Sequence, residues 1–298
     1  MVTQKAVLTI TREARGRVCG DGVELAFGYW PGRGAPVVAL HGLTATYVSF
    51  IGVAERLAGR RPLLALDLRG RGDSDKPAGP YGMAQHARDV AAAMRALGLG
   101  PSVIVGHSMG AFVATALAAA EPELVSALVL IDGGFALPMT EAARQVFEIG
   151  LSKRIGQLQQ IYPSRQAYRE FWRSQPQFPP QDWGPWAEAF LDYELGGEPP
   201  CLQPKASEEA VRIDLAEGLK SREITQRVEA IRVPVVMVRA EAGFLPGQPP
   251  LYPEPVVTEM RRYLPGVEVR TIPGTTHYTV VLGNRGATAI ADLIANPI

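Results

Sequence analysis

The chain reads as an α/β protein: a mostly parallel eight-stranded sheet with helices on both faces and an inserted helical cap. Three observations point that way. Short, wholly apolar runs suited to strands buried on both faces alternate with stretches of helical patterning. One of these runs, Val103–Val105, leads directly into Gly106-His107-Ser108-Met109-Gly110 and then into an alanine-rich helical segment, Ala111–Ala120. Between Gly134 and Ile231 the alternation stops, and helical patterns follow one another without a convincing strand.

The first thirty residues read as a β meander, Val7–Thr11, Gly16–Cys19 and Val23–Tyr29, with Asp21-Gly22 as a hairpin turn. The buried strands expected next are Val37–Leu40, Leu63–Leu66, Val103–Val105, Leu128–Ile131, Val235–Val238 and Val267–Ile272. Helices are expected between them at Val48–Ala58, Ala84–Leu97, Gly110–Ala120, Pro255–Tyr263 and Arg285–Ala295. The strandless interval carries helical patterns at Glu141–Leu151, Ser164–Arg173, Asp182–Tyr193 and Ser207–Gly218. It therefore reads as a cap over residues 135–230, inserted into a core built from 1–134 and 231–298. Sites in open α/β sheets form at the carboxyl ends of the strands, where such a cap would enclose them.

A length of 298 residues suffices for one large α/β core with an insertion. Lys+Arg 30 balances Asp+Glu 30, so neither nucleic acid nor an anionic membrane surface is indicated as a partner. No apolar run approaches the ~20 residues needed to span a bilayer, and Met1–Thr11 lacks the apolar core of a signal peptide. Cys19 and Cys201 are far apart and outside any paired spacing, so neither a disulfide framework nor a metal site is implied. A cytoplasmic setting is the expectation; a homodimer is compatible with it, and no cofactor is called for.

The chemistry centres on Ser108. A serine on a sharp strand-to-helix turn, with glycines two residues before and after it, has its hydroxyl pushed out at the end of a sheet. Serine becomes a nucleophile only when a neighbouring base removes its proton, and the chain has four histidines. His41 opens a turn after a strand, His107 adjoins the serine and should point away from it, and His86 lies within a helix as a surface or packing residue. His277, in the loop Pro273-Gly274-Thr275-Thr276-His277-Tyr278 after the last strand, is left as the base. A carboxylate must orient its imidazole. Two stand at strand ends: Asp132 in Leu130-Ile131-Asp132-Gly133-Gly134 and Glu241 in Arg239-Ala240-Glu241-Ala242-Gly243. Asp132 is preferred, because the two glycines leave room for close approach, with Glu241 as the alternative. The backbone N–H groups of Met109 and Leu43 are the candidate oxyanion donors, so the side chain of Leu43 should matter little to the chemistry.

Together these residues resemble the α/β-hydrolase superfamily over almost the whole chain. His41-Gly42, the stretch Asp67-Leu68-Arg69-Gly70-Arg71-Gly72-Asp73-Ser74-Asp75, the turn Gly106–Gly110 and the late His277 follow in that family's order. The resemblance implies Ser108 as nucleophile, His277 as base, Met109 and Leu43 as oxyanion donors, and Arg69 and Asp67 as braces of the loop beside the site. It also implies acylation of Ser108, loss of a leaving group, and hydrolysis of the acyl-enzyme by water. One departure stands out: family members usually carry the acid after the penultimate strand in a Gly-x-x-Asp pattern, and this chain has Ala240-Glu241-Ala242-Gly243 there. Some haloalkane dehalogenases of the superfamily place the acid one strand earlier, which supports Asp132. The chain does not resemble those enzymes at position 108, where they need a carboxylate.

Trp172, Trp183 and Trp186 fall in the expected cap, either holding it together or lining an apolar pocket for an acyl or aryl group. No charged clamp is evident there. The leading expectation is hydrolysis of small to medium, fairly hydrophobic carboxylic esters. A lactonase, a carbon–carbon bond hydrolase and a cofactor-free perhydrolase are the enzymatic rivals. A ligand receptor that retains the triad is the non-enzymatic one.

Overall fold

Four-residue strands without a single polar side chain hold their place only if both faces are covered, and that requirement organises this molecule. The computed structural model describes residues 13–137, 149–150 and 152–296. Its strands are β1 (Ala14–Cys19), β2 (Glu24–Trp30), β3 (Val37–Leu40), β4 (Leu63–Leu66), β5 (Ser102–His107), β6 (Val125–Ile131), β7 (Leu195–Gly196), β8 (Gln203–Pro204), β9 (Val235–Ala240) and β10 (Glu268–Ile272). Eight of them form one sheet in the order β1-β2-β4-β3-β5-β6-β9-β10. β1 and β2 run antiparallel to their neighbours, while every pairing from β4 through β10 is parallel.

The helices are α1 (Ile51–Leu57), α2 (Met83–Ala96), α3 (Met109–Ala120), α4 (Arg165–Arg173), α5 (Pro185–Glu194), α6 (Glu208–Gly218), α7 (Ser221–Glu229), α8 (Glu254–Tyr263), α9 (Thr279–Leu282) and α10 (Asn284–Ala295). The two-residue period of the strands divides their side chains between two apolar layers. Val38, Leu40, Leu64, Leu66, Ile104 and Leu128 pack with residues of α2, α3, α7 and α8. Val37, Ala39, Leu63, Ala65, Val103 and Val129 pack with residues of α1, α5 and α10 on the other face.

The expected strands at 37–40 and 63–66 coincide with β3 and β4, and the remaining strands and core helices fall within a few residues of expectation. The first expected strand, Val7–Thr11, and almost all of the expected helix at 141–151 lie outside the described residues. Two features of the interval 135–230 differ from the sequence reading. A pair of two-residue antiparallel strands, β7 and β8, sits within it, too short to leave a periodic signal. Helix α7 also escapes sequence reading; its Ile224 and Val228, one turn apart, are buried in the layer shared by α2 and α3, so this last helix packs with the sheet. Among the described residues no helix is long and apolar enough to cross a membrane.

The strand-to-helix turn after β5 brings backbone directly against backbone. A Cβ on Gly106 would overlap the Gly110 carbonyl and the Ala111 backbone, and one on Gly110 would overlap the carbonyls of Leu40 and His41. Both obstacles are main chain, which cannot rotate aside. Gly110→Ala should therefore cost about 3 kcal/mol of stability in urea unfolding, the upper end for overpacking. Gly100→Ala, where a Cβ meets nothing within 4 Å, should stay within about 0.5 kcal/mol.

Candidate active site

Strand β5 ends at His107 and α3 begins at Met109, so the whole change of direction is concentrated in Ser108. Its φ of 52° and ψ of −118° are unusual for a residue with a Cβ, the kind of backbone strain that persists only where surroundings enforce it. Here they do. The Ser108 N–H donates to the Ile131 carbonyl at 2.9 Å and the Ser108 carbonyl accepts from the Ala111 N–H at 3.0 Å. Gly133 lies so close that a Cβ on it would overlap the Ser108 backbone. Ser108 is half-buried, and it shares one cavity of about 100 Å³ with His277, Asp132, Leu43 and Met109.

Asp132 leaves β6 with a positive φ of 48° and its N–H on the Val238 carbonyl at 2.8 Å. Its buried carboxylate accepts from the Ala240 N–H at 3.3 Å through Oδ1 and meets His277 Nδ1 at 2.8 Å through Oδ2. A carboxylate at Nδ1 makes that nitrogen the donor and leaves Nε2 free to accept a proton. Glu241 does something else: exposed at the surface, it accepts from the Gly274 N–H at 2.8 Å and so fixes the loop that carries His277. The structure thus brings Asp132, and not Glu241, to the imidazole.

The main chain of His277 is held from two sides. Its N–H donates to the Gly243 carbonyl at 2.9 Å, and its carbonyl accepts from His107 Nε2 at 2.8 Å. His107, which the sequence suggested only as a residue pointing away, therefore joins the Ser108 turn to the loop that carries His277. Burial, aided by the neighbouring His277, holds its ring well below the usual histidine range, so it stays a neutral donor.

On the opposite wall, His41 organises the turn after β3. Its Nδ1 donates to the Gly42 carbonyl at 2.8 Å and its Nε2 accepts from the Leu68 N–H at 3.0 Å. The Gly42 carbonyl also accepts from the Ala45 N–H at 3.1 Å. In a trans peptide the C=O and N–H point in opposite directions, so fixing the Gly42 carbonyl fixes the direction of the Leu43 N–H. The second candidate donor, Met109 N–H, sits at the amino end of α3, where backbone N–H groups have no partner within the helix.

The loop 67–75 braces this wall. Asp67 accepts from the N–H groups of Tyr47 at 2.7 Å and Asp73 at 3.0 Å and from the Tyr193 hydroxyl at 2.7 Å. Burial pushes its carboxyl up to about 6 in spite of these bonds. Arg69 is clamped by Asp89 and by the carbonyls of Pro80 and Asp21. His86 is not at the surface: it is wholly buried, with Nε2 on the Asp214 carboxylate at 2.9 Å.

The three tryptophans are not in the cavity. Trp172 is buried among Tyr168, Phe171 and Phe178, with the Arg154 guanidinium 4.7 Å from its ring. Trp183 donates to Glu188 at 2.9 Å and Trp186 to Glu55 at 2.7 Å, the latter lying against Gly52 of α1. Trp186 thus packs α5 against α1. The cavity walls are apolar and mainly aliphatic instead, with Met83, Leu137, Leu215, Leu219 and Leu251 beside the aromatic Phe112 around the serine. The helical spacing of Leu215 and Leu219, like that of Ser108 and Phe112, was the available signal, since residues four apart share a helix face.

The buried His41 supplies a pH test. Burial lowers its pKa from 6.5 to about 3, so the unfolded chain binds a proton that the native state refuses. The resulting stability is full above pH 6.5 and is lost as pH falls toward 3, at about 1.4 kcal/mol per pH unit. His107 acts in the same direction. His41→Gln should therefore lose about 2 kcal/mol less than the parent between pH 7 and pH 5 in urea unfolding. Parallel pH profiles for the two proteins would contradict a neutral buried His41.

A family model described as the alpha/beta hydrolase fold matches residues 35–169. The 2-(acetamidomethylene)succinate hydrolase of Mesorhizobium japonicum is 30% identical over 248 residues, which cover 83% of this chain and 83% of that protein. The N-formylmaleamate deformylase of Pseudomonas putida is 26% identical over 267 residues, 89% of this chain and 90% of its own. The crystal structure of an E-2-(acetamidomethylene)succinate hydrolase shares the fold with a TM-score of 0.79 at 24% identity, covering 96% of this chain and 100% of that one. The chain belongs to the α/β-hydrolase superfamily and is a hydrolase of that fold.

Proposed function

We propose that the protein is a serine hydrolase cleaving neutral, fairly hydrophobic carboxylic esters through Ser108, His277 and Asp132. The observation that carries this reading is the 2.8 Å contact of His277 Nδ1 with the Asp132 carboxylate, in one cavity with a strained, half-buried Ser108. On this reading His277 Nε2 takes the Ser108 Oγ proton as Oγ attacks the ester carbonyl. The N–H groups of Leu43 and Met109 stabilise the oxyanion of the tetrahedral intermediate. His277 then returns the proton to the departing alcohol, and water, activated by the same imidazole, hydrolyses the acyl-serine. Asp132 holds the imidazole tautomer and stabilises the imidazolium. The stretch that carries α4, α5 and α6 acts as a cap, with α6 supplying Asp214, Leu215 and Gly218 to the cavity wall. The protein works in the cytoplasm on a small-molecule substrate.

The cavity favours a neutral substrate. Among the described residues that line it, aliphatic side chains predominate, none is Lys or Arg, and the charged-type residues besides His277 are Asp132 and Asp214. A second reading comes from the relatives, two of which are named for acting on 2-(acetamidomethylene)succinate and N-formylmaleamate. Those names point to anionic substrates with an acyl–nitrogen bond. Among the described residues the cavity lining holds no Lys or Arg to bind a carboxylate, so the ester reading stands first.

Neutral p-nitrophenyl acyl esters of graded length, set against the hemisuccinate ester, test both. Turnover of the neutral series with a preferred length is expected. Turnover of the hemisuccinate alone reverses the order of the two readings, and none at any length rejects the esterase. Ser108→Ala should abolish turnover. Asp132→Asn should lower kcat about 10³- to 10⁴-fold with the fold intact, by loss of the correct imidazole tautomer. Glu241→Gln should leave kcat within about threefold, because the amide oxygen can still accept from the Gly274 N–H.

A further inference from the structure

Arg71, within the Asp67–Asp75 stretch, is wholly buried, and its guanidinium contacts Leu43, Met109 and Asp214, all of which line the cavity. Its Nε donates to the Leu43 carbonyl at 3.0 Å, and its Nη2 approaches Met109 Sδ at 3.7 Å. Its Nη1 donates to the Arg69 carbonyl at 3.1 Å and to the Asp214 carboxylate. Both residues assigned as oxyanion donors are thus touched by one side chain.

Asp214 is the reciprocal piece. It projects from α6, is fully buried, and lines the cavity beside Ser108. Its Oδ1 accepts from the Gly82 N–H at 2.6 Å, and its Oδ2 takes Arg71 and, at 2.9 Å, His86 Nε2. A single carboxylate on α6 is therefore met by three donors from the sheet side of the cavity. Among the described residues it is the one carboxylate paired with Arg71.

We propose that Arg71 and Asp214 are a positioning pair: α6, seated over the cavity by Asp214, sets through Arg71 the loop that presents the Leu43 N–H to the oxyanion. The inference rests on the acyl-transfer reading above. Its physics is that of a buried cation with a single counter-ion. With α6 in place, the guanidinium is neutralised by Asp214, and its remaining donors are directed at the carbonyls of Leu43 and Arg69. With α6 displaced, a guanidinium left without its counter-ion in an apolar wall turns toward water, and the Leu43 carbonyl loses its donor. The neighbouring peptide then gains freedom when the transition state needs it fixed. Neither residue touches the reacting atoms.

The test uses the whole protein and the neutral p-nitrophenyl ester it turns over best. Three variants are compared: Asp214→Asn, Arg71→Lys, which keeps the charge but cannot reproduce the planar fork, and the double variant. Each is read by kcat and KM separately, and by affinity for an aryl trifluoromethyl ketone, whose adduct with Ser108 places an oxyanion at the donors. Each single change should lower kcat about 10- to 100-fold, less than outright removal of an oxyanion donor. KM should move less than about threefold, ketone affinity should fall with kcat, and the double variant should be no worse than the poorer single one. Should Asp214→Asn fail to fold, Arg71→Lys carries the same expectations alone. Losses confined to KM, unchanged ketone affinity or additive losses overturn the pair. Turnover surviving in Ser108→Ala overturns the acyl-transfer reading and this proposal with it. An inert Ser108→Ala beside normal kcat in Arg71→Lys and Asp214→Asn overturns the pair alone.

Discussion

Backbone meets backbone at the carboxyl ends of β3, β5 and β6, with no side chain between them. The first turn of α3 lies against the Leu40 carbonyl, Gly106 lies under the Gly110 carbonyl, and Gly133 lies against Ser108. These contacts leave no volume for a methyl group. They also force Ser108 into its positive φ, because the chain must reverse within one residue to keep α3 that near the sheet. The strain is local, but what it secures is not: the hydroxyl stands at the one place where β3, β6 and the loop after β10 all end. Every other group in the site is positioned relative to that crossing.

Around it the fold uses neutral histidines as fixed brackets. His41 and His107 are both buried, and both have their proton affinity depressed mainly by that burial. Each uses a ring nitrogen to hold a carbonyl, of Gly42 in one case and His277 in the other. Neutral rings suit this work, because a charged imidazole in either place would need a counter-ion that the apolar layers do not supply. His277 differs in one respect that matters, since a carboxylate faces its Nδ1. Three imidazoles of similar burial thus divide into two braces and one that, on the proposed reading, takes and returns a proton.

Much of this was legible in the sequence, for identifiable reasons. Strands such as Val37–Leu40 and Leu63–Leu66 are apolar at every position, so their bounds are marked by composition alone. The glycines flanking Ser108 mark a turn that only glycine can close. The partner carboxylate was less legible, because Asp132 and Glu241 both follow strands, and only the three-dimensional path of the loop at 273–278 separates them. The cavity walls were least legible. Aromatic weight in the interval 135–230 suggested a pocket, whereas Trp172 and Trp186 are spent on packing and on Glu55. Leu219 and Leu251 reach the cavity from segments whose patterning is that of ordinary helix and loop. Arg71 could not be singled out, since its partner Asp214 lies far along the chain in a helix whose docking no local pattern reports.

Placing the carboxylate at the end of β6 has a consequence for how such a protein can diversify. Asp132 and Ser108 then stand on adjacent strands joined by the Ser108–Ile131 main-chain bond, inside the rigid centre of the sheet. The segment after β9, which contributes Phe244 and Leu251 to the cavity, carries no member of the proton relay on this reading. Its ties to the loop that carries His277 are confined to its first three residues: Glu241 accepts from the Gly274 N–H, the Ala242 N–H donates to the Thr275 carbonyl, and the Gly243 carbonyl receives the His277 N–H. Insertions, deletions and side-chain drift in that segment can therefore reshape what the cavity admits while the reacting groups keep their spacing. On this reading one part of the cavity wall is free to evolve at a different rate from the reaction chemistry.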